Sequence, residues 1–185
     1  MKKFIEESWL VLAMGVVFAL LLAGAQTTLS ERIRENRQKA LNEAIADVVS
    51  NVAATEELEI DGNRVFKCLD ASKALVGWAI QASGTGFIDK ITLVVGLTPE
   101  ADKITGMKVV ENLETPGLGN KIVGPWADQY KGLSTDTAIM VEKGGADHGK
   151  NQIDAITGAT WSSRYVTDIV NDVIKRIRPK LDAHR

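Results

Sequence analysis

Residues 75–111 read LVGWAIQASGTGFIDKITLVVGLTPEADKITGMKVVE. Three strand-like runs, Leu75–Ala82, Ile88–Leu97 and Ile104–Glu111, are rich in β-branched and apolar side chains. Ser83-Gly84-Thr85-Gly86 joins the first two, and Thr98-Pro99-Glu100-Ala101-Asp102 joins the last two. Connections this short close hairpins, whereas parallel neighbours need a crossover of a dozen residues or more. The stretch therefore predicts an antiparallel sheet.

Upstream, Asp61-Gly62 is a turn signal and Arg64–Leu69 alternates enough for a fourth strand. From about Arg34 to Val52, the residues Leu41, Ala44, Ile45, Val48, Val49 and Val52 fall on one helical face. Downstream come a loop at Glu114–Asn120, a short helical patch around Trp126–Tyr130 and a strand-like Thr137–Val141. A last helix is predicted from near Ser162, with Val166, Ile169, Val170, Val173, Ile174 and Ile177 on one face, ending before Pro179. The body is thus a small α+β domain, an antiparallel sheet with flanking helices.

The N-terminus differs in kind. Ser8–Ser30 carries no charged residue and as a helix spans roughly 34 Å, against a hydrocarbon core of about 30 Å. Trp9 is placed as an interfacial anchor. A cleaved signal peptide competes, because Ala23-Gly24-Ala25 has the small-x-small form of a cleavage site. The retained anchor is favoured, since the apolar run exceeds the usual signal core of about 7–15 residues. The predicted division is a tail at 1–7, an anchor at 8–30, a linker helix at 31–56 and the domain at 57–185. Counting Lys and Arg alone, Lys2 and Lys3 against Arg32, Arg34, Arg37 and Lys39, the body is placed in the cytoplasm.

Composition excludes several chemistries. The chain has 185 residues, 22 Lys+Arg and 24 Asp+Glu, so no broad basic surface exists for nucleic acid. One cysteine, Cys68, rules out an internal disulfide, a Cys-based zinc site and a cysteine-ligated cluster within the chain. His148 and His184 alone make no typical metal site. Gly84-Thr85-Gly86 starts like a dinucleotide fingerprint, but Asp89 replaces the third glycine. Gly144–Lys150 (GGADHGK) matches a phosphate-loop pattern, yet Asn151 supplies no hydroxyl for magnesium, and a flexible polar loop is expected. Cys68 reads as a small buried side chain.

The chemistry-bearing stretch is Asp154-Ala155-Ile156-Thr157-Gly158-Ala159-Thr160-Trp161-Ser162-Ser163. It brings several hydroxyls to the start of the last helix, where unpaired N–H groups and the positive dipole end favour phosphate. Ordinary capping by Ser162 or Thr160 is the competing account.

This stretch resembles the S/T-G-A-T flavinylation motif of the FMN-binding domain family, which is shared by the G subunit of Rnf complexes and the C subunit of sodium-pumping NADH:quinone reductases. Glu114-Thr115-Pro116-Gly117-Leu118-Gly119 is similar to the family's E-T-P-G-L-G loop. The resemblance covers the order of elements from span to terminal helix, and the compact length looks more like the Rnf G subunit.

It implies FMN joined through its phosphate to Thr160 by a flavin transferase that uses FAD and magnesium. It implies that Thr115 hydrogen-bonds the isoalloxazine and Leu118 packs on its face. The implied cofactor set also includes Thr157, Gly158, Ala159, Glu114, Gly117, Gly119 and Ser163. Some quinone-reductase relatives put a tryptophan on the other ring face; here Phe87 or Ile88 stands in that region. Trp126 and Trp161 are further candidates, each more ordinarily a core residue.

No acid/base dyad, nucleophile–His pair or metal cluster is evident in the sequence, so the expected role is electron relay, without a complete active site of its own. The resemblance implies a single-pass component of an Rnf-type complex in the inner (plasma) membrane, coupling ferredoxin:NAD electron transfer to Na⁺ or H⁺ translocation, with other membrane subunits and the lipid bilayer as partners. It places the flavin domain on the periplasmic or outer side, against the charge count. The alternatives are an anchored binding or assembly module without covalent flavin, and a stand-alone extracytoplasmic flavoprotein.

Overall fold

A computed structural model describes residues 2–184; Met1 of the expected tail and Arg185 of the expected domain lie outside them. A single long helix, α1, runs Lys2–Val48. Five strands follow: β1 Ala54–Ile60, β2 Asn63–Leu69, β3 Leu75–Thr85, β4 Lys90–Leu97 and β5 Ile104–Glu111. The chain then turns through two short 3₁₀ segments, Gly119–Ile122 and Pro125–Tyr130. Two three-residue strands, β6 Met140–Glu142 and β7 Gln152–Asp154, precede the terminal helix α2, Thr160–Leu181. The chain divides by its contacts into a unit ending at Ala40 and a unit beginning at Leu41.

In the first unit, Trp9, Leu10, Val11, Leu12, Phe18, Leu20, Leu21 and Leu22 are exposed on α1. This stretch belongs to the one helix, among the described residues, that is long and apolar enough to cross a membrane.

In the second unit the sheet is antiparallel throughout, in the order β1-β2-β3-β4-β5. One face is covered by α2, through Val166, Val170, Val173 and Ile177, which join Trp78, Ile80, Leu93 and Val95 in one apolar cluster. The other face is covered by the end of α1: Leu41, Ala44, Ile45, Val48 and Val49 pack with Phe66, Cys68, Ala79 and Val94. Burial on both faces is why β4 is buried from Ile91 to Leu97 without alternation. Gly96 lets α1 come close, because a β-carbon there would stand 2.6 Å from the Val48 carbonyl. Thr105 Oγ1 donates to that same carbonyl, satisfying an acceptor left over at the helix end.

The antiparallel sheet and both helical faces match the sequence-based expectation, and several boundaries do not. The expected linker helix at 31–56 stops at Val48, and Ala54–Glu56 already belong to β1. Strand β1 (ATEELEI), an edge strand, carries only a two-residue apolar signal: Ile60 is buried, Leu58 half-buried against the core, and the other five residues are exposed. The β3–β4 turn lies later than predicted: Gly84 and Thr85 pair with Ile91 and Lys90, and the turn is Gly86–Asp89, closed by Gly86 N–H to Asp89 O at 2.8 Å. Strand β6 is shorter than Thr137–Val141 and pairs with β7 in parallel. Helix α2 continues past Pro179 to Leu181; a proline in the last turn removes only one hydrogen bond near a frayed end.

The GGADHGK segment is tied down rather than flexible. Asp147 caps the 3₁₀ turn His148–Lys150, and the element that follows it directly is strand β7 rather than a helix. Asn151, buried and left-handed at φ 60°, accepts from Ser134 N–H and donates to the carbonyls of Ser134 and Thr137.

Candidate functional site

Three chain segments meet beside the N-terminus of α2: the β3–β4 turn, the loop after β5 and the connection from β7. Their shared surface is a shallow depression of about 100 Å³ lined by Phe87, Thr115, Leu118, Gly119, Gly158, Ala159, Thr160, Trp161 and Ser162. Six residues expected at the site, Thr115, Leu118, Gly119, Gly158, Ala159 and Thr160, are thus brought together. A larger groove of about 600 Å³, between α2 and residues 135–138, shares none of them.

The loop after β5 is shaped by its own backbone. Thr115 O accepts from the N–H groups of Leu118 (3.1 Å) and Asn120 (3.2 Å), and Gly117 N–H donates to Asn120 Oδ1. Gly117 is left-handed at φ 76°. Leu118 is pushed outward, 46% exposed, a large apolar side chain facing solvent beside polar neighbours.

The connection from β7 turns at Gly158, φ 82°, and Ala159 occupies the N-cap position. Its methyl group offers no side-chain cap, so the first-turn N–H groups of α2, which have no intrahelical acceptor, meet no capping side chain among the described residues. Capping by Ser162 or Thr160, the ordinary account of these hydroxyls, is therefore not what the fold uses. Ser162 Oγ donates to Glu114 Oε2 at 2.6 Å. Ser163 Oγ donates to Ala159 O and accepts from Ile156 N–H at 3.0 Å. Thr167 Oγ1 donates to Ser163 O. Thr160 is half-buried at the head of the helix, and its hydroxyl makes no hydrogen bond among the described residues. It is the threonine that the helix leaves available on the depression's wall.

Two expected ligands lie behind the surface. Glu114 is 4% exposed, and its Oε1 accepts from Phe87 N–H (2.7 Å) and Ile88 N–H (3.1 Å). Ser163 is fully buried. Thr157 and Gly117 do not line the depression; Gly117 is exposed beside it. Phe87 lines it and Ile88 does not, although both are 57% exposed.

The tryptophans part company. Trp126 is half-buried, its Nε1 donating to Asp154 O at 2.7 Å and its ring edge-on to Tyr130. Trp161, read as more ordinarily a core residue, is 58% exposed instead. Position 161 faces away from the sheet, and the ring meets the Arg164 guanidinium, 5.5 Å from its centre, and Tyr165. The Ser162–Glu114 pairing leaves almost no trace in the sequence; the local signal is a row of adjacent hydroxyls where one suffices for a cap.

These features fit FMN. Leu118, Phe87 and Trp161 offer apolar faces to a planar ring, and the uncapped first turn offers N–H groups to a phosphate.

The family model of the FMN-binding domain matches residues 86–175, a span that includes both loops and the first four turns of α2. The chain is 30% identical over 173 residues to the G subunit of the ion-translocating oxidoreductase complex of Methanosarcina acetivorans, covering 89% of each. It is 38% identical over 98 residues to the G subunit of the Na⁺-translocating ferredoxin:NAD⁺ oxidoreductase complex of Acetobacterium woodii, covering 52% of this chain and about half (47%) of that one. The crystal structure of Shewanella oneidensis NqrC superposes with a TM-score of 0.60 at 26% identity, over 75% of this chain and 74% of that one. With two motif-bearing loops facing each other across the head of α2, the chain belongs to the FMN-binding domain family, alongside the G subunits of ion-translocating oxidoreductases.

Proposed function

We propose that this chain is a membrane-anchored electron carrier bearing FMN on Thr160 through a phosphoester, within an Rnf-type complex that couples ferredoxin:NAD electron transfer to Na⁺ or H⁺ translocation. The observation that carries the reading is the contrast among hydroxyls: Ser162, Ser163 and Thr167 are consumed by internal hydrogen bonds, and Thr160 is not. A flavin transferase would supply the group: the threonine oxygen, giving up its proton, bonds to the FMN phosphorus of FAD as the bond between the two phosphates breaks and AMP leaves. The first-turn N–H groups would hold the phosphate, and Leu118 and Phe87 would hold the ring.

When bound, the flavin supplies the electron exchange. The chain's own residues orient it. A depression of about 100 Å³ holds part of a flavin only, so a covalent tether keeps a solvent-facing cofactor from dissociating. Helix α1 holds the domain at the bilayer, and the other members of the relatives' complexes are its partners. The flavin domain lies on the periplasmic or outer side; the Lys/Arg count around a single short-tailed span yields to assembly with neighbouring helices.

The test is intact mass with in-gel flavin fluorescence after denaturation, on protein from native membranes, beside Thr160→Ala. A gain of FMN less one water in the parent, absent in the variant, is the expected result. Unmodified parent protein from cells with an active transferase overturns the reading.

A further inference from the structure

Glu114 opens the family-like loop, yet its carboxyl group does not line the depression. It is 4% exposed and holds three partners from two other segments: Phe87 N–H and Ile88 N–H of the β3–β4 turn on Oε1, and Ser162 Oγ of α2 on Oε2. The surroundings leave room for nothing larger. A β-carbon on Gly86 would stand 2.6 Å from Glu114 Oε1, and one on Gly119 would stand 2.6 Å from Oε2 and 2.7 Å from Ser162 Oγ. The two glycines flank the carboxyl on its two sides, one in each loop.

The consequence is mechanical. The β3–β4 turn carries Phe87, more than half exposed, and exposed turns of this kind are mobile unless their backbone is bonded. Glu114 bonds two consecutive N–H groups of that turn and anchors them to the first turn of the helix that bears Thr160. Buried hydrogen bonds to a carboxyl group are among the stronger ones in a protein, and a lost partner strands the others without water.

We propose that Glu114 is a positioning residue: it fixes the Phe87 turn against the head of α2, so that the ring of a flavin attached at Thr160 is held between Phe87 and Leu118, without itself touching the flavin. The identity of the ring rests on the proposed function above; the fixing of the turn does not.

The experiment compares the full-length parent with Glu114→Ala, Glu114→Gln and Ser162→Ala. In flavin-free protein, made in a host without the transferase, hydrogen exchange reads the Phe87 and Ile88 amides. In protein made with an active transferase, intact mass reads attachment and flavin fluorescence anisotropy reads ring mobility. Glu114→Ala is expected to lose about tenfold or more of the amide protection and to lower the anisotropy while keeping the FMN mass. Glu114→Gln recovers most of both, because its amide oxygen still accepts two N–H groups and its NH₂ donates to Ser162 Oγ. Ser162→Ala removes one bond of the three and moves both readings in the same direction by less, which decides the matter if Glu114→Ala fails to fold.

Unchanged amide protection in folded Glu114→Ala overturns the proposal. So do unchanged anisotropy, loss of the FMN mass from a folded variant, or no recovery in Glu114→Gln. Absence of FMN from the parent defeats the covalent reading instead, and the exchange measurement still decides the role of Glu114.

Discussion

Leu118 Cδ2 lies 3.3 Å from where a β-carbon on Gly158 would stand. Residues forty positions apart are thus brought side by side, and both line the depression that Thr160 lines. Gly158 is also left-handed at φ 82°, so an alanine there meets both backbone strain and the leucine. Gly158→Ala is expected to cost about 1 kcal/mol or somewhat more, lowering the melting temperature of the domain by about 2–4 °C. The fraction carrying FMN falls with it, because the threonine hydroxyl is displaced. Calorimetry and intact mass on the same sample check both outcomes; full modification at wild-type stability refutes them.

The two threonines of the connecting loop are expected to behave differently. Thr160→Ser keeps a hydroxyl at the head of α2 and retains part of the FMN mass. Thr157→Ala removes a hydroxyl outside the depression and leaves the mass gain intact, with stability within about 0.5 kcal/mol of the parent. Loss of flavin from Thr157→Ala, rather than from Thr160→Ala, moves the attachment point by three residues.

What was legible beforehand was what burial or turn chemistry stamps on a short window. Strand β5, predicted at Ile104–Glu111, occupies those residues, and Val166, Val170, Val173 and Ile177 face the core as the helical spacing required. Strand β1 left only a faint stamp, since Leu58 and Ile60 alone of its seven residues pack toward the core while Glu56, Glu57 and Glu59 are exposed. The roles of Glu114 and Ser163 were illegible for a different reason. A motif shows which residues recur together, and only the fold shows that Glu114 Oε2 faces Ser162 and that Ser163 Oγ serves Ile156 N–H. Thr160 stood out in the motif, but what distinguishes it from the other hydroxyls of α2 is the bond it does not make, and what distinguishes it from Thr157 is its place on the depression's wall. That contrast belongs to tertiary structure.

Sheet and helix approach closely at Gly84, where a β-carbon would lie 2.5 Å from Ile169 Cγ1 and 2.9 Å from its Cδ1. Gly84→Ala is expected to destabilise by about 1–3 kcal/mol through overpacking. Ile169→Ala alone creates a cavity, yet in the Gly84→Ala background it relieves the clash. The pair is therefore expected to be non-additive, with a coupling of about 0.5–3 kcal/mol in denaturant titrations. Simple additivity within error sinks the claim that this contact sets the helix-to-sheet distance.

Alkaline pH is expected to loosen the domain through two buried acids. Burial pushes the Cys68 thiol up from an ordinary 9.0 to about 11, a backbone hydrogen bond offsetting part of the effect. Burial raises the Tyr130 hydroxyl further still, against the lowering influence of its bond to Thr167 Oγ1 at 2.7 Å. Both groups stay protonated in the folded chain after they have ionised in the unfolded one. The unfolded state then binds fewer protons, so stability is fully present below about pH 9 and declines as pH rises through the folded values. Folded protein should resist thiol reagents at about pH 8 and react once denatured. In urea titrations, Cys68→Ala flattens the decline between about pH 9 and pH 11. Tyr130→Phe flattens the part above about pH 10, at a cost of about 1 kcal/mol at neutral pH for the lost hydrogen bond. A decline of the same slope in both variants and the parent assigns it to surface lysines and removes these two groups from the account.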